Sequence, residues 1–335
     1  MAVELTATGA TDIDRLLALF TKAFQLKGGE PLLNPSLLQW KYFDPRPDWP
    51  GSRSYVLHSG DRWMAHACVC PMPFQVGDKP VRGVLLVDWL SAVPGAGAHI
   101  YRRFYPLIDV LFGNGGSTQA RRTIQELKYP VIGAVEMYAR VFKPFDLYSR
   151  GRRGAADLLR LGRNVFQVAM PSYRPAGDWR SERLTQFTAA HASLCGHNPQ
   201  TYLQTIRSPE LLNYYLRCPL ARMSGYAIWQ GRETRGYFLL GEFASETKLV
   251  DLRLNSANAE DWAAAIALVA EEAAKLKPPM LFASSTFPLL GEALRKNAFR
   301  NFGADPLYLH DPEGGLTSSN LPLHITPFDG DQAYQ

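Results

Sequence analysis

Apolar positions recur along this chain at two spacings, and the alternation between them predicts its elements. Residues 12–25, DIDRLLALFTKAFQ, place Ile13, Leu16, Leu17, Phe20 and Phe24 on one helical face, with Thr11 as an N-cap. Residues 36–42 read as a second short helix. Strands follow at 54–59 and 62–71 around the turn Ser59-Gly60-Asp61, and at 74–79 and 81–94 around Gly77-Asp78-Lys79-Pro80. A short helix over 98–107, a strand over 108–113, a helix over 117–128 and a strand over 131–141 close this half. After the Pro/Gly-rich stretch 171–177 the pattern restarts. A helix over 210–217 leads to strands at 225–230, 235–243 and 247–254. An Ala-rich helix over 258–276, a strand at 280–284, a helix over 287–299 and a strand at 306–310 complete it. This order predicts a mixed sheet of the α+β or α/β class.

The two halves repeat one order of elements. Ser59-Gly60-Asp61 corresponds to Gln230-Gly231-Arg232, Val87-Asp88 to Val250-Asp251, and the helix end at 125–129 to that at 295–299. Such a repeat points to duplication of one domain.

The stretch VLLVDWLSAVPGAGAHI, residues 84–100, concentrates the candidate chemistry. A strand runs into small residues at a helix start, which gathers backbone N–H groups and the positive helix end around one point. That arrangement suits a phosphate. The same residues also make an ordinary tight strand-to-helix turn. In the second half the matching stretch reads LRLNSANAED, which caps a helix but offers a poorer cradle.

Composition narrows the class. A chain of 335 residues with 46% hydrophobic and 20% charged residues is globular and long enough for two domains. No apolar run approaches the roughly 18 to 20 residues that span a bilayer, and the N-terminus lacks a secretory pattern. A cytoplasmic protein without membrane association is expected. The four cysteines are expected to be buried thiols. His66, Cys68 and Cys70 share a strand face and Cys195 neighbours His197, but neither set has the loop spacing of a zinc site. No metal is expected. The net charge of +5 is partly local, with Arg140, Lys143, Arg150, Arg152, Arg153, Arg160 and Arg163 in one segment. That segment reads as a solvated basic face or as compatible with an acidic ligand; the absence of nucleic-acid-binding signatures argues against RNA or DNA.

With both halves laid out, the chain resembles the GNAT superfamily of N-acetyltransferases, as a tandem member. The resemblance rests on the strand 84–93, the loop Pro94-Gly95-Ala96-Gly97-Ala98, the helix from His99, and GNGGSTQARRTIQELKY downstream. It implies an α+β protein of two tandem GNAT-like domains, each a mixed, mostly antiparallel sheet flanked by helices. Residues 1–168 would be the acyl-CoA-binding domain, 169–180 a linker, 181–312 a degenerate copy and 313–335 a tail. It further implies acyl-CoA, most simply acetyl-CoA, as co-substrate and a small-molecule or sugar amine as acceptor. Val93, Pro94, Gly95, Ala96, Gly97 and Ala98 would hold the pyrophosphate, with Asn114, Ser117 and Thr118 beside the pantetheine arm and Arg121 reaching a cofactor phosphate or an acidic substrate, or else exposed to solvent. The chain departs from the family where no Arg or Gln precedes Gly95, and where Ile124 stands at the usual position of a tyrosine acid.

Transfer to an amine needs a base and an acid. Asp88 on the central strand is the first candidate base, or else a buried structural carboxylate; Glu136 is the second. Tyr138 and Tyr129 are the candidate acids, or else packed aromatics. The turn at Asn114 to Thr118 offers N–H groups to an acyl carbonyl, or a plain N-cap. Trp40 and Tyr42 either line the acceptor groove or pack in the core. The tail 324–335, with Asp329, Asp331 and Tyr334, either packs across the sheet or trails free. A Fem-type aminoacyl transferase and a non-catalytic binding protein are the alternative functions.

Overall fold

A computed structural model describes residues 2–27, 29–150, 154–170, 173–195 and 201–334. Gly196 and His197 of the possible Cys195–His197 pair, with Arg152 and Arg153, lie outside them. The first half runs β1 (Glu4–Ala7), α1 (Ile13–Phe24), α2 (Pro35–Leu38), β2 (Ser54–Ser59), β3 (Arg62–Val76), β4 (Lys79–Ser91), α3 (Ala96–Phe104), β5 (Val110–Asn114), α4 (Thr118–Glu126), β6 (Val131–Val141), α5 (Pro144–Arg150) and α6 (Ala155–Ala169). The second runs β7 (Trp179–Leu184), β8 (Leu203–Gln204), α7 (Pro209–Leu216), β9 (Arg222–Gln230), β10 (Glu233–Glu242), β11 (Thr247–Leu254), α8 (Ala259–Lys275), β12 (Met280–Ser285), α9 (Pro288–Lys296), β13 (Arg300–His310) and β14 (Leu323–His324).

Twelve strands join in one sheet, in the order β1-β2-β3-β4-β5-β13-β6-β12-β11-β10-β9-β7. Read inward from both ends, the order is the same in each half: β1 matches β7, β2 β9, β3 β10, β4 β11 and β5 β12. At the centre the last strands have changed sides. β13 pairs with β5, β6 pairs with β12, and the two pair antiparallel with each other from Tyr308/Val131 to Arg300/Ala139. The halves are therefore locked edge to edge by backbone hydrogen bonds, and the sheet has no edge at its middle.

Several predicted boundaries shift. The hairpin expected at 74–94 is the far end of one long hairpin, because β3 continues through Pro71 and Pro73 to Val76. Thr11 does not cap α1; a short 3₁₀ turn, Ala10–Asp12, precedes the helix, and Gly9 N–H donates to Asp12 Oδ2 at 2.9 Å. After α2 the backbone widens into a π turn over Gln39–Phe43, closed by Asp44 N–H to the Gln39 carbonyl at 2.9 Å. β7 went unpredicted because WRSERL is a polar edge strand.

The two parallel pairs, β4–β5 and β11–β12, each hold briefly and then diverge. β11 and β12 pair only at Thr247/Leu281 and Lys248/Phe282. The chain's own tail fills the gap beyond. His324 Nε2 donates to the Leu252 carbonyl at 2.8 Å, while Thr286 N–H donates to the Ile325 carbonyl at 3.3 Å. The His324 ring packs among Trp262, Phe287 and Tyr202, all buried. Thr326 Oγ1 donates to Asp251 Oδ1 at 2.8 Å. The tail is thus built into the sheet. Burial opposes the charge of Asp251, but Arg207 and Arg253 hold its carboxyl well below the usual range.

Trp262→Ala should therefore lower the unfolding free energy by about 3 to 5 kcal/mol, measured by urea denaturation. Val131→Ala, at an exposed position, should change it by less than about 0.5 kcal/mol.

Candidate active site

In the first half the gap stays open. β4 and β5 pair at Gly83/Val110, Val84/Leu111 and Leu85/Phe112, then part. Between them lies a cavity of about 640 Å³. Met72, Leu85, Phe112, Val135, Leu307 and Ile325 form its apolar wall, and Asp88, Asn114, Asp305, Asp329 and Asp331 line it as well. Asp305 and Leu307 come from β13 and residues 325–332 from the tail, so both halves of the chain build this wall.

The cavity side of β4 is shaped by a bulge. Cys68 faces Val87 and His66 faces Leu90, so Asp88 and Trp89 stand opposite Ala67 alone. Asp88 takes a φ of 47° there, a cost only a well-braced residue sustains. The brace is a relay of hydrogen bonds. Thr8 Oγ1 donates to Ser54 Oγ at 2.7 Å, and Ser54 Oγ lies 2.9 Å from His66 Nε2. His66 Nδ1 lies 3.0 Å from the Asp88 carbonyl, so Nδ1 carries the proton and Nε2 accepts. Burial lowers the His66 pKa to about 4, against the pull of the Asp88 carbonyl. The ring is neutral and orients the bulge.

On the side-chain end, Lys41 Nζ and Tyr42 both converge on Asp88 Oδ2. The ammonium forms an ion pair with it and the phenol donates at 2.6 Å. The π turn carries both residues to the same carboxylate. Burial opposes the Lys41 charge, yet Asp88 beside it holds the pKa above the ordinary value. Burial first, then Asp88, pushes the Tyr42 phenol well up. Asp88 is therefore both a cavity residue and the anchor of a buried ion pair. Tyr42 packs in the core, and Trp40 stacks on Tyr214 at 4.6 Å away from the cavity.

The phosphate cradle expected at residues 93–98 is differently arranged, and none of these residues lines the cavity. Gly95 does adopt the left-handed backbone, with φ 80°. But Ala96 N–H donates to the Val93 carbonyl at 3.1 Å and Gly97 N–H to Ser91 Oγ at 3.1 Å. The Trp89 indole lies on Gly97, where a Cβ would come within 3.1 Å of the ring, and donates to the Gly97 carbonyl at 3.2 Å. The amides of Ala96 and Gly97 are thus engaged internally, a correction to the expectation of bare donors. Ser91 takes up the Gly97 amide and Trp89 covers Gly97, both from the strand before the helix.

The turn after β5 divides. Asn114, Gly115 and Gly116 line the cavity, and Asn114 Oδ1 is buried with no hydrogen-bond partner among the described residues. Ser117 caps α4 by accepting from Ala120 N–H at 3.2 Å, and Thr118 is the first residue of that helix. Arg121 donates to Asp305 Oδ1 at 2.8 Å and to the Gly116 carbonyl at 3.2 Å.

Three candidate catalytic residues fall elsewhere. Strand alternation turns Val135 into the cavity and Glu136 and Tyr138 to the opposite face. There they bond to each other beneath α9, with Tyr138 also accepting from Arg295 at 2.9 Å. Tyr129 bonds Tyr105 at 2.8 Å and stacks on His310 at 5.0 Å, outside the cavity. Burial pushes its phenol far up. Residues not singled out from sequence are Lys41, Trp89, Tyr101 and Asp305. Only Lys41 left a signal, a charge inside an apolar run. Among the described residues no group of His, Cys, Asp and Glu could hold a metal ion.

Comparison with known proteins bears on the fold. No protein-family model matches the chain, and no curated protein matches it. Solved structures do. A GCN5-related N-acetyltransferase from Anabaena variabilis aligns with a TM-score of 0.60 at 11% identity, over 92% of this chain and 73% of that one. N-myristoyltransferase from Saccharomyces cerevisiae, with bound myristoyl-CoA, aligns at 0.60 and 11%, over 92% and 79%. A putative acetyltransferase from Pyrococcus horikoshii aligns at 0.52 and 10%, over 93% and 90%. The chain has the fold of these acyltransferases along most of its length.

Two outcomes test the bulge. A His66 ring held at about 4 against a reference of 6.5 stays unprotonated while the unfolded chain takes up its proton. Stability should fall as pH drops from 6.5 to 4, by on the order of 1 kcal/mol per pH unit for this ring. His324, also lowered to about 4, mainly by burial, adds a like amount. His66→Asn should flatten that slope in pH-dependent urea titrations. Asp88→Asn leaves the Lys41 ammonium unpaired and should cost about 3 to 5 kcal/mol; adding Lys41→Met should restore much of it.

Proposed function

We propose that this chain is an acyl-CoA-dependent N-acyltransferase that moves an acyl group, acetyl in the simplest case, to the amine of a small molecule or sugar. The edge of β4 carries this reading. From Leu86 to Trp89 the strand has lost β5 as a partner and lines an open cavity. An unpaired strand edge beside an apolar slot accepts an extended, amide-bearing chain as an added strand, and the pantetheine arm of CoA is such a chain. The likeness of fold to acyltransferases, one with bound myristoyl-CoA, supports the same reading.

The charge of the cavity supports an amine acceptor. Asp88, Asp305, Asp329, Asp331 and Glu30 line it, with no Lys or Arg among the lining residues. Asp88, Asp305 and Asp329 are paired within the protein with Lys41, Arg121 and Arg207, and the lining carries two further carboxylates, Glu30 and Asp331, toward a protonated amine. In this reading Asp88 takes the amine's proton, directly or through water. The backbone at Asn114 to Gly116 polarises the thioester carbonyl. Tyr101, the tyrosine among the lining residues, is the side chain placed to protonate the leaving thiolate; burial raises its pKa, which opposes that transfer. Residues 1–168 supply the strands of the cleft, residues 181–312 lend β13, and the tail closes its wall.

One observation favours a second reading. The engaged amides of Ala96 and Gly97, and the indole over Gly97, weaken the pyrophosphate cradle, as a non-catalytic binding protein would. Calorimetric titration with acetyl-CoA, followed by mass spectrometry of a panel of cationic amines, separates the two. Saturable binding and acetylated product, both lost in Ala120→Trp at the cavity wall, are the expected results. Binding without product from any amine would favour the non-catalytic protein. Absence of heat at millimolar acetyl-CoA would overturn the transferase.

A further inference from the structure

Helix α6 is mounted inside out. Its sequence, AADLLRLGRNVFQVA, is amphipathic, and a surface helix of that kind turns its apolar stripe to the core. Here the residues buried against the protein are the polar ones, Asn164 and Gln167. Gln167 Nε2 donates to the Ala139 carbonyl at 2.9 Å and to the Ala298 carbonyl at 2.6 Å, which fixes the helix across the end of β6 and the turn after α9. The opposite face carries Leu158, Leu159, Val165 and Phe166, and these are exposed: Leu159 is 78%, Phe166 70% and Leu158 56% accessible. On α5, packed against α6, Phe145 adds 67%. Exposed apolar area of this continuity marks an interaction surface.

Charge identifies the occupant. Arg160 and Arg163 lie along one border of the stripe, Lys143 stands exposed at the start of α5, and Arg300 lies close enough to Arg163 for the two to repel. Asp157, the carboxylate of α6, is taken up by Gly154 N–H and Arg160. Residues 140–170 hold seven Lys and Arg against two Asp, an excess of five positive charges. The net charge of the whole chain is also +5, so the rest of the sequence is balanced and the basic excess falls in the segment that carries this helix. A second copy docked through the same patch would set two basic rims against each other. An anionic phospholipid surface meets both features at once: its phosphates face the arginines and its acyl boundary receives the leucines and phenylalanine.

We propose that α6 docks the protein flat on an anionic phospholipid membrane, with Leu158, Leu159 and Phe166 entering the headgroup–acyl boundary and Arg160 and Arg163 on lipid phosphates. The inference is independent of the acyltransferase reading. It departs from the sequence expectation of no membrane association, because the sequence analysis placed no helix over 155–169 and read that segment only as a basic face.

Co-sedimentation of the full chain with vesicles tests it, using phosphatidylcholine alone and phosphatidylcholine mixed with phosphatidylglycerol. Binding to the mixed vesicles should exceed that to the neutral ones by about tenfold or more and weaken with salt. Phe166→Glu and Leu159→Glu alter exposed side chains; each should lower binding about tenfold with the thermal transition unchanged. Equal affinity for both vesicle types, no binding to either, or binding indifferent to Phe166→Glu would overturn the proposal. A dimer in light scattering that Phe166→Glu dissolves, without vesicle binding, would assign the face to a second copy instead and overturn it equally.

Discussion

Two parallel strand pairs in this sheet hold for two or three residue pairs and then separate, and most of the architecture answers the need this creates. Backbone N–H and C=O groups on a strand that has lost its neighbour must find other partners when they lie within the protein. In the second half the chain supplies them itself: the tail crosses between β11 and the end of β12, donating from His324 and accepting at Ile325. In the first half the same divergence is left as a cavity, with the tail forming a wall instead of a plug. One duplicated frame thus yields a closed copy and an open one.

The open copy depends on the bulge at Asp88. A β-bulge turns an extra residue out of the ladder and re-aims its neighbours, and here it sets Asp88 and Trp89 at the cleft wall, with the carboxylate itself held by Lys41 and Tyr42. The relay through Thr8, Ser54 and His66 fixes the carbonyl; Lys41 and Tyr42 fix the side chain. A corresponding bulge occurs in β11, where Val250 is skipped between the pairs Leu240/Leu249 and Leu239/Asp251. There Asp251 is enclosed by Arg207, Arg253, Tyr237 and Thr326, so the equivalent carboxylate became purely structural. The contrast between Asp88 and Asp251 lies partly in the backbone: Asp88 is left unpaired with a φ of 47° beside the cleft, whereas Asp251 stays paired with Leu239.

Much of the architecture was legible in the residues. Period-two and period-3.6 patterns located β6 and β11 to the residue and α8 to within one position at each end, because strongly amphipathic or fully apolar segments constrain their own conformation. The correspondence of Val87-Asp88 with Val250-Asp251 was also visible. Less legible was the site. Asp88 is in the cavity, but Glu136 and Tyr138 share its half of the chain and face the other side of the sheet, since the side a strand turns to a helix depends on what packs there. The loop at residues 94–98 had the right composition for a phosphate cradle. Its occupancy was decided by Ser91 and Trp89, whose side chains reach forward over residues that sequence spacing alone cannot orient.

The sequence by itself determined most of the elements, though not β1, β7, α5 or α6, together with the repeated order of the halves and the placement of an acidic residue at the centre of each, because these follow from local periodicity and composition. Tertiary structure alone decided that β6 and β13 exchange neighbours, that the tail seals one cleft and borders the other, and that α6 presents its apolar side outward. Those choices rest on pairings between residues far apart in sequence, such as Gln167 with the Ala298 carbonyl, Tyr308 with Val131 and His324 with the Leu252 carbonyl. A hydrophobic pattern states that a face must be covered, and only the assembled molecule states by what.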